Sequence, residues 1–367
     1  MKVRRIESPE EFEALAPVWN DVARAGGYAS PFLSHDWFVC CWRAAARARR
    51  PLLLLVEDAA GPVALVPLAR WAARLRGLPV RVLGTLDAPD TPFVDWPVAG
   101  SPEPVAEAVM AHLVARRDWD LLILEKMPVD SPIVKALESG MPGGARCQRA
   151  ATLRSPYLDV SGSWEAFWAQ TSQRFKKTFR SVRNRLEKAG RVAVEEHRSL
   201  GVDGGPFAEA LEVSLRSWKG PRRLAMANMP GMPEFFRSLT ERASARGWLR
   251  LWVLRLDGRA VATEYQLEAD GRVHALRADF DASLPEDLSP GAYLSGHIVR
   301  ALFDREGIHE YDMGPGDNEY KSRWATGAHE TVRLRLFHPG IYGKSLFAME
   351  TRAVPALRRL GRGLRAS

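Results

Sequence analysis

The sequence predicts an α/β protein built from two tandem units of one plan. Three observations carry this. At 367 residues the chain is too long for one ordinary core and suits two domains. Two segments repeat the order strand, strand, strand, helix, strand. The glycine turns at Gly61 and Gly258 lie about as far apart as the strands that begin at Trp119 and His309, the spacing that a duplicated module produces.

In the first segment, residues 51–58 (PLLLLVED) and 62–70 (PVALVPLAR) flank a turn at Ala59-Ala60-Gly61 and read as a β-hairpin. A third apolar run covers 80–86. After a Pro- and Asp-rich loop, 103–116 has helical spacing and 119–124 (WDLLIL) reads as a buried strand. The second segment has strands over 249–256 (LRLWVLRL), 260–268 (AVATEYQLE) and 272–280 (RVHALRADF), a helix over 292–305 and a strand over 309–313. The turn-rich stretch 141–151 (MPGGARCQRAA) ends the first unit, so the expected boundaries are 1–150, 151–343 and a basic amphipathic tail, 344–367.

Between the two segments, 163–190 predicts one long helix, apolar at Phe175, Phe179, Val182 and Leu186 and stopped by Gly190. Arg174, Lys176, Lys177, Arg180, Arg183, Arg185 and Lys188 crowd its other surface. Such a surface is either a solvated face or an anion contact.

Composition narrows the class. Hydrophobic residues make up 46% and charged residues 26%, which is globular, and no apolar run is long enough for a bilayer. The start, MKVRRIESPEEFEAL, has no secretory pattern, so a cytoplasmic protein is expected. Three cysteines, two of them adjacent at Cys40 and Cys41, offer neither a disulfide framework nor metal spacing and read as reduced structural thiols. A net charge of +8 favours anionic company: a phosphorylated cofactor, nucleic acid or an acidic membrane surface.

The densest chemistry lies in 279–324. In DFDASLPEDLSPGAYLSGHIVR a strand ends and a helix opens, with Ser289 expected to cap it, Pro290 suited to its first turn and Gly291 leaving backbone amides accessible. Free N–H groups at such a start can receive a phosphate. If the strands on either side are neighbours, the helix start and Asp312-Met313-Gly314 face one crevice. In HEYDMGPGDNEYKSRW, Gly314-Pro315-Gly316 turns the chain and is expected to keep its amides open to a ligand, with Tyr320 and Lys321 reaching back. His274 and His297 read as structural, and no metal is expected.

These motifs, SPGAYL opening a helix and YDMGPGDNEYKSRWA closing the next strand, stand with RSWKG at 216–220, a basic FKKTFRSVRNRL helix and PFLSHDWFVCCW at 31–42. Together they resemble the GNAT acyltransferases of the cellulose-biosynthesis (CelD/BcsL) type over about 31–343. The resemblance implies two tandem GNAT-like domains, each a mixed, mostly antiparallel sheet flanked by helices. It further implies that the second binds acetyl-CoA or a longer acyl-CoA as co-substrate. The first is expected to be degenerate, since WDLLILEKMPVDSP carries neither the glycine turn nor the Tyr-Lys pair.

By the same resemblance, Ser289, Pro290, Gly291, Ala292, Tyr293 and Leu294 hold the pyrophosphate, although the superfamily's commoner Arg/Gln-x-x-Gly-x-Gly loop is missing there. Tyr320 stands where many GNAT enzymes carry a tyrosine acid. N-acyl transfer also needs an acceptor for the amine's proton, for which Asp279, Glu264 and Asp312 are candidates. Each has a plainer reading: Asp312 as a brace for the glycine turn, which is favoured, Glu264 on a solvent face, Asp279 at a turn, Tyr320 in packing. Lys321 reads as a phosphate contact, a carboxylate partner or a surface lysine. Trp218 and Lys219 suggest an acceptor or pantetheine wall, and Lys177 and Arg180 a substrate contact.

The leading expectation is transfer from an acyl-CoA to an amine of a sugar, a lipid such as a sphingoid base, or another envelope precursor, with no DNA partner. The alternatives are transfer of an aminoacyl group from tRNA, as in the tandem-domain peptidoglycan enzymes, and a non-catalytic partner in polysaccharide export. The tail offers either a peripheral contact with an anionic membrane or a helix docked on the domain.

Overall fold

The computed structural model describes residues 1–45, 49–140, 144–316 and 318–353, arranged around two seven-stranded sheets. The first half of the chain runs β1 (Lys2–Ile6), α1 (Pro9–Ala14), α2 (Ala16–Ala25), α3 (His35–Ala45), β2 (Arg50–Glu57), β3 (Pro62–Leu75), β4 (Leu78–Thr85), α4 (Pro102–Ala115), β5 (Leu121–Pro128), α5 (Pro132–Ser139) and β6 (Arg146–Ala151). The second half runs β7 (Ser155–Asp159), α6 (Trp164–Gln170), α7 (Gln173–Ala189), β8 (Val192–His197), α8 (Gly205–Arg216), α9 (Met232–Ala245), β9 (Leu249–Leu256), β10 (Arg259–Ala269) and β11 (Arg272–Phe280). It ends with α10 (Pro290–Phe303), β12 (Glu310–Asp312), α11 (Glu319–Ser322), β13 (Gly327–His329), β14 (Thr331–Phe337) and α12 (Ile341–Ala348).

The repeat read from the sequence is the topology of both units. β2, β3 and β4 pair antiparallel, α4 crosses over, and β5 joins β4 in parallel. β9, β10 and β11 pair antiparallel, α10 crosses over, and β12 joins β11 in parallel. Each sheet is therefore mixed and mostly antiparallel, as expected.

Two expectations need correction. The sheet orders are β1-β2-β3-β4-β5-β14-β6 and β13-β7-β12-β11-β10-β9-β8. Residues 331–337, read as the end of the second unit, thus return to the first sheet and fill the place between β5 and β6. The helix expected over 163–190 is two helices. Ser172 breaks the run and starts α7, its hydroxyl accepting from Phe175 N at 3.2 Å. Gly190 does end α7, where a Cβ would lie 2.3 Å from a carboxylate oxygen of Asp257.

The units share a core. Trp37, Phe38 and Cys40 of α3 pack in one cluster with Phe235 and Phe236 of α9 and Tyr265 of β10, all buried. Burying each such side chain stabilises the fold by roughly 1.5–3 kcal/mol. Cys40 and Cys41 are buried thiols, and burial pushes Cys40 up to about 11, away from reactive thiolate chemistry. The tail begins as α12, whose Leu346 packs with Phe337, Val80 and Leu121. Residues 354–367, most of the basic tail, lie outside the described residues, as does Asp317. Among the described residues no helix is long and apolar enough to cross a membrane.

Candidate active site

The second sheet opens where β11 and β12 part. Only three pairs join them, Arg272↔Glu310 to His274↔Asp312, after which β11 runs on to Phe280 while the chain beyond Asp312 turns away at Gly314. A cavity of about 550 Å³ fills the opening. The end of β11, the start of α10, Trp218 and Tyr320 all line it. The first unit has the same parallel pair, and there Val94 N bonds Lys126 O at 3.0 Å and Leu86, Ala88, Val94 and Trp96 are buried.

At the start of α10, Pro290 occupies the first turn as expected, but Ser289 does not cap. It adopts a left-handed backbone (φ 46°, ψ 55°), and its hydroxyl donates back to Glu286 O at 2.9 Å. The first intrahelical bond is Tyr293 N to Ser289 O, 3.1 Å, so the Gly291 and Ala292 amides precede the hydrogen-bonded ladder and border the cavity. Leu294 lines it too. Tyr293 points away and reaches Glu187 Oε1 at 3.4 Å.

Glu264 is buried, 2% exposed, and lines the cavity from β10. Its Oε1 accepts from Tyr311 Oη at 2.5 Å and Gln266 Nε2 at 2.7 Å, and Gln266 in turn accepts from Trp252 Nε1 at 3.0 Å. The solvent-face reading is therefore wrong for Glu264. Burial raises its pKa, and the two donors oppose the rise. Tyr311 itself is pushed far up by burial and by the Glu264 charge, so it remains a donor.

Tyr320, on α11, lines the cavity as well. Part of its ring is exposed, while its hydroxyl turns inward beside Ser295. Burial raises the phenol pKa, the Ser295 hydrogen bond opposes this, and the charge of Glu264 adds to it. The phenol stays protonated at neutral pH and is available to donate.

Asp279 lines the same wall, 3% exposed, between two cations: Lys219 Nζ at 2.7 Å and Arg277 Nε at 3.3 Å. Lys219 is thus a carboxylate partner behind the wall, and burial lowers its pKa. Trp218 forms the wall, with the Arg222 guanidinium 5.0 Å from its ring centre.

Asp312 and Lys321 are not in the cavity lining. Asp312 is 2% exposed and accepts from Ser155 Oγ at 2.5 Å and Gly314 N at 2.8 Å, with His274 Nδ1 3.4 Å from its other oxygen. Burial works to raise its pKa, but the His274, Ser155 and Gly314 contacts win and hold it low. It is a brace. Lys321 donates to Gly314 O at 2.8 Å and Pro315 O at 3.0 Å, clamping the turn from outside. The turn's amides, expected to be open, are engaged: Gly314 N on Asp312 and Gly316 N on Arg154 O at 2.9 Å.

The basic helix α7 flanks α10, and the Phe179 ring occupies the space that a Cβ on Gly296 would fill, 1.9 Å from that atom. Arg185 donates to Asp287 O at 2.7 Å beside the cavity rim. Lys177 and Arg180 are exposed on its outer surface and do not line the cavity. Sequence reasoning missed Tyr311, Gln266 and Ser295. The polar residues inside the otherwise apolar strand AVATEYQLE were the available signal for Gln266.

With this geometry in place, three comparisons bear on it. Residues 173–322 match the family model described as the acetyltransferase (GNAT) domain. No curated protein matches the chain significantly. Among solved structures, the C-terminal domain of a protein described as a lysylphosphatidylglycerol synthetase from Agrobacterium fabrum is similar at 13% identity. It covers 95% of this chain and 97% of its own, with a TM-score of 0.55. FemX is similar at 11% identity, 92% and 98% coverage and a TM-score of 0.53. A tandem GNAT protein from the clavulanic acid biosynthesis pathway is similar at 12% identity, 92% and 99% coverage and a TM-score of 0.50. Residues 173–322 thus form a GNAT-fold acetyltransferase domain, carried on a chain whose two units together take the tandem GNAT-like fold.

Proposed function

We propose that the protein is an acyl-CoA-dependent N-acyltransferase whose site is the cavity between β11 and α10. The observation that carries this is the meeting, around one cavity, of the uncapped start of α10 with Glu264 and Tyr320. The Gly291 and Ala292 amides, at the positive end of α10, suit the pyrophosphate of the donor. The pantetheine arm follows the gap between β11 and β12. Glu264, basic because it is buried, takes the proton of the acceptor ammonium. The freed amine lone pair attacks the thioester carbonyl, the carbon–sulfur bond breaks, Tyr320 donates its proton to the departing thiolate, and the second proton that the nitrogen must shed restores the phenol. An amide and a free thiol result. The finer likeness to the cellulose-biosynthesis type rests on the sequence motifs alone.

The apolar wall of Trp218, Phe280, Leu284 and Leu294 favours a lipid-like amine or a longer acyl chain over a small polar pair. The basic tail extends this proposal to a peripheral contact with an anionic membrane. Isothermal titration with coenzyme A and a series of acyl-CoAs tests the reading, and absence of binding to all of them would sink it.

A second reading, transfer of an aminoacyl group from tRNA, draws support from the likeness to the domain described as that of a lysylphosphatidylglycerol synthetase and from the exposed cations of α7. It predicts that tRNA co-purifies and that its affinity collapses as salt rises.

A further inference from the structure

The cavity is apolar at its mouth as well as inside. Trp218 and Phe280 line it, yet they are 47% and 40% exposed, and the ring of Tyr320 is exposed in part. Large apolar side chains left in water forgo the free energy of burial, and several of them at one opening mark a surface that an apolar partner covers. The segment that carries Trp218, residues 216–224, is fixed to the end of β11. Lys219 Nζ donates to Ala278 O at 2.8 Å, Arg277 donates to Leu224 O, and Ala282 N donates to Arg216 O at 3.1 Å. Leu224, itself exposed, is thereby held beside the mouth.

The same segment carries charge. Arg222 and Arg223 are exposed and form no ion pair among the described residues, and the Arg222 guanidinium lies 5.0 Å from the Trp218 ring centre. Of the acids in the lining, Glu264, Asp279 and Asp281 are buried, and Glu286 is exposed. Exposed aromatic rings beside free guanidinium groups suit a lipid–water interface, where the rings lie at headgroup depth and the cations rest on phosphates. A second copy of the chain fits less well. A two-fold contact would set the patch against itself and bring the arginines of both copies together, on chains that each carry a net charge of +8. An anionic bilayer satisfies both halves of the surface, with an apolar phase for the rings and Leu224 and negative charge for the arginines.

We propose that the cavity mouth is a docking face for an anionic lipid bilayer: Trp218, Phe280 and Leu224 enter the interface, Arg222 and Arg223 bind headgroup phosphates, and the cavity opens directly toward the lipid. A long-chain amine or acyl donor then passes between bilayer and cavity without crossing water. This face belongs to the folded second unit and is separate from the basic tail. Its use in delivering a substrate rests on the N-acyltransferase reading; the docking itself does not.

The test is cosedimentation of the full chain with vesicles of phosphatidylcholine and phosphatidylglycerol in equal parts. R222Q/R223Q, which leaves the cavity lining and the tail untouched, should weaken binding about thirtyfold, at roughly fivefold per arginine. W218A should weaken it about tenfold. Parent-like binding by either variant overturns the proposal and moves the contact to the tail or elsewhere. Equal affinity for vesicles of phosphatidylcholine alone also overturns it. Hydrogen exchange on the parent protein needs no variant: the mixed vesicles should slow the amides of residues 217–224 and 280–286, and protection confined to other segments counts against the proposal. Protection of these amides by raised protein concentration without lipid would mean that a second copy covers the face, and would overturn it too. Vesicle binding through this face by a protein that transfers no acyl group leaves the docking standing while the N-acyltransferase reading fails.

Discussion

Tyr311 and Glu264 meet at 2.5 Å inside the second sheet, phenol donating to carboxylate, on strands that are not adjacent: β11 lies between them. The contact therefore crosses the sheet face, and it bears on the basicity of Glu264, whose pKa burial raises. Burial favours the protonated acid, and the Tyr311 donor favours the anion.

The acidic limb of the rate–pH profile should accordingly lie above the ordinary glutamate value of about 4.3. Removing the donor with Y311F should move that limb to higher pH, because only the anion gains from the hydrogen bond. E264Q should abolish the limb and lower kcat by about a hundredfold or more, with KM for the donor little changed. A limb that survives E264Q would assign the base elsewhere.

Tyr320 is expected to act on the leaving group. Y320F should reduce kcat about a hundredfold with a CoA thioester. A donor whose thiol is more acidic needs less protonation as it departs, so the same variant should lose far less activity with an aryl thioester. Equal losses with both donors would make Tyr320 a packing residue.

Much of this was legible in the sequence, and the rest was hidden for physical reasons. The strands over 249–256 and 272–280 coincide with β9 and β11 because alternation and turn residues are local signals. The crevice was legible because Pro290 and the Gly314 turn mark strand and helix ends. Partners were not: whether Lys321 meets a phosphate or two carbonyls, and whether Asp312 is a base or a brace, depend on what the fold brings near. Ser289 shows the limit from the other side, since a good capping residue was placed in a left-handed conformation by the Glu286–Leu288 turn before it. β14 was misassigned because its apolar alternation says that it joins a sheet, never which one.

Lys321 separates two roles that sequence left open. Its ammonium bonds two turn carbonyls, and charged hydrogen bonds of this kind are worth about 1.5–3 kcal/mol. K321M should lower Tm by several degrees and leave the dissociation constant for coenzyme A within about twofold. A tenfold loss of CoA affinity at unchanged Tm would instead make it a phosphate ligand.

The return of β14 to the first sheet predicts that neither half of the chain is an independent folding unit. Val332, Leu334, Leu336 and Phe337 are each 3% exposed or less. At roughly 1.5–3 kcal/mol apiece, their burial amounts to about 6–12 kcal/mol, as large as the net stability of an ordinary domain. Removing the strand also bares the inner edges of β5 and β6, which then have no partner for their ladders. A chain of residues 1–330 should therefore lose cooperative thermal unfolding and near-UV circular dichroism, and adding a peptide of residues 331–353 should restore part of both. A 1–330 chain that melts cooperatively near the parent Tm would show that the first sheet closes without its borrowed strand.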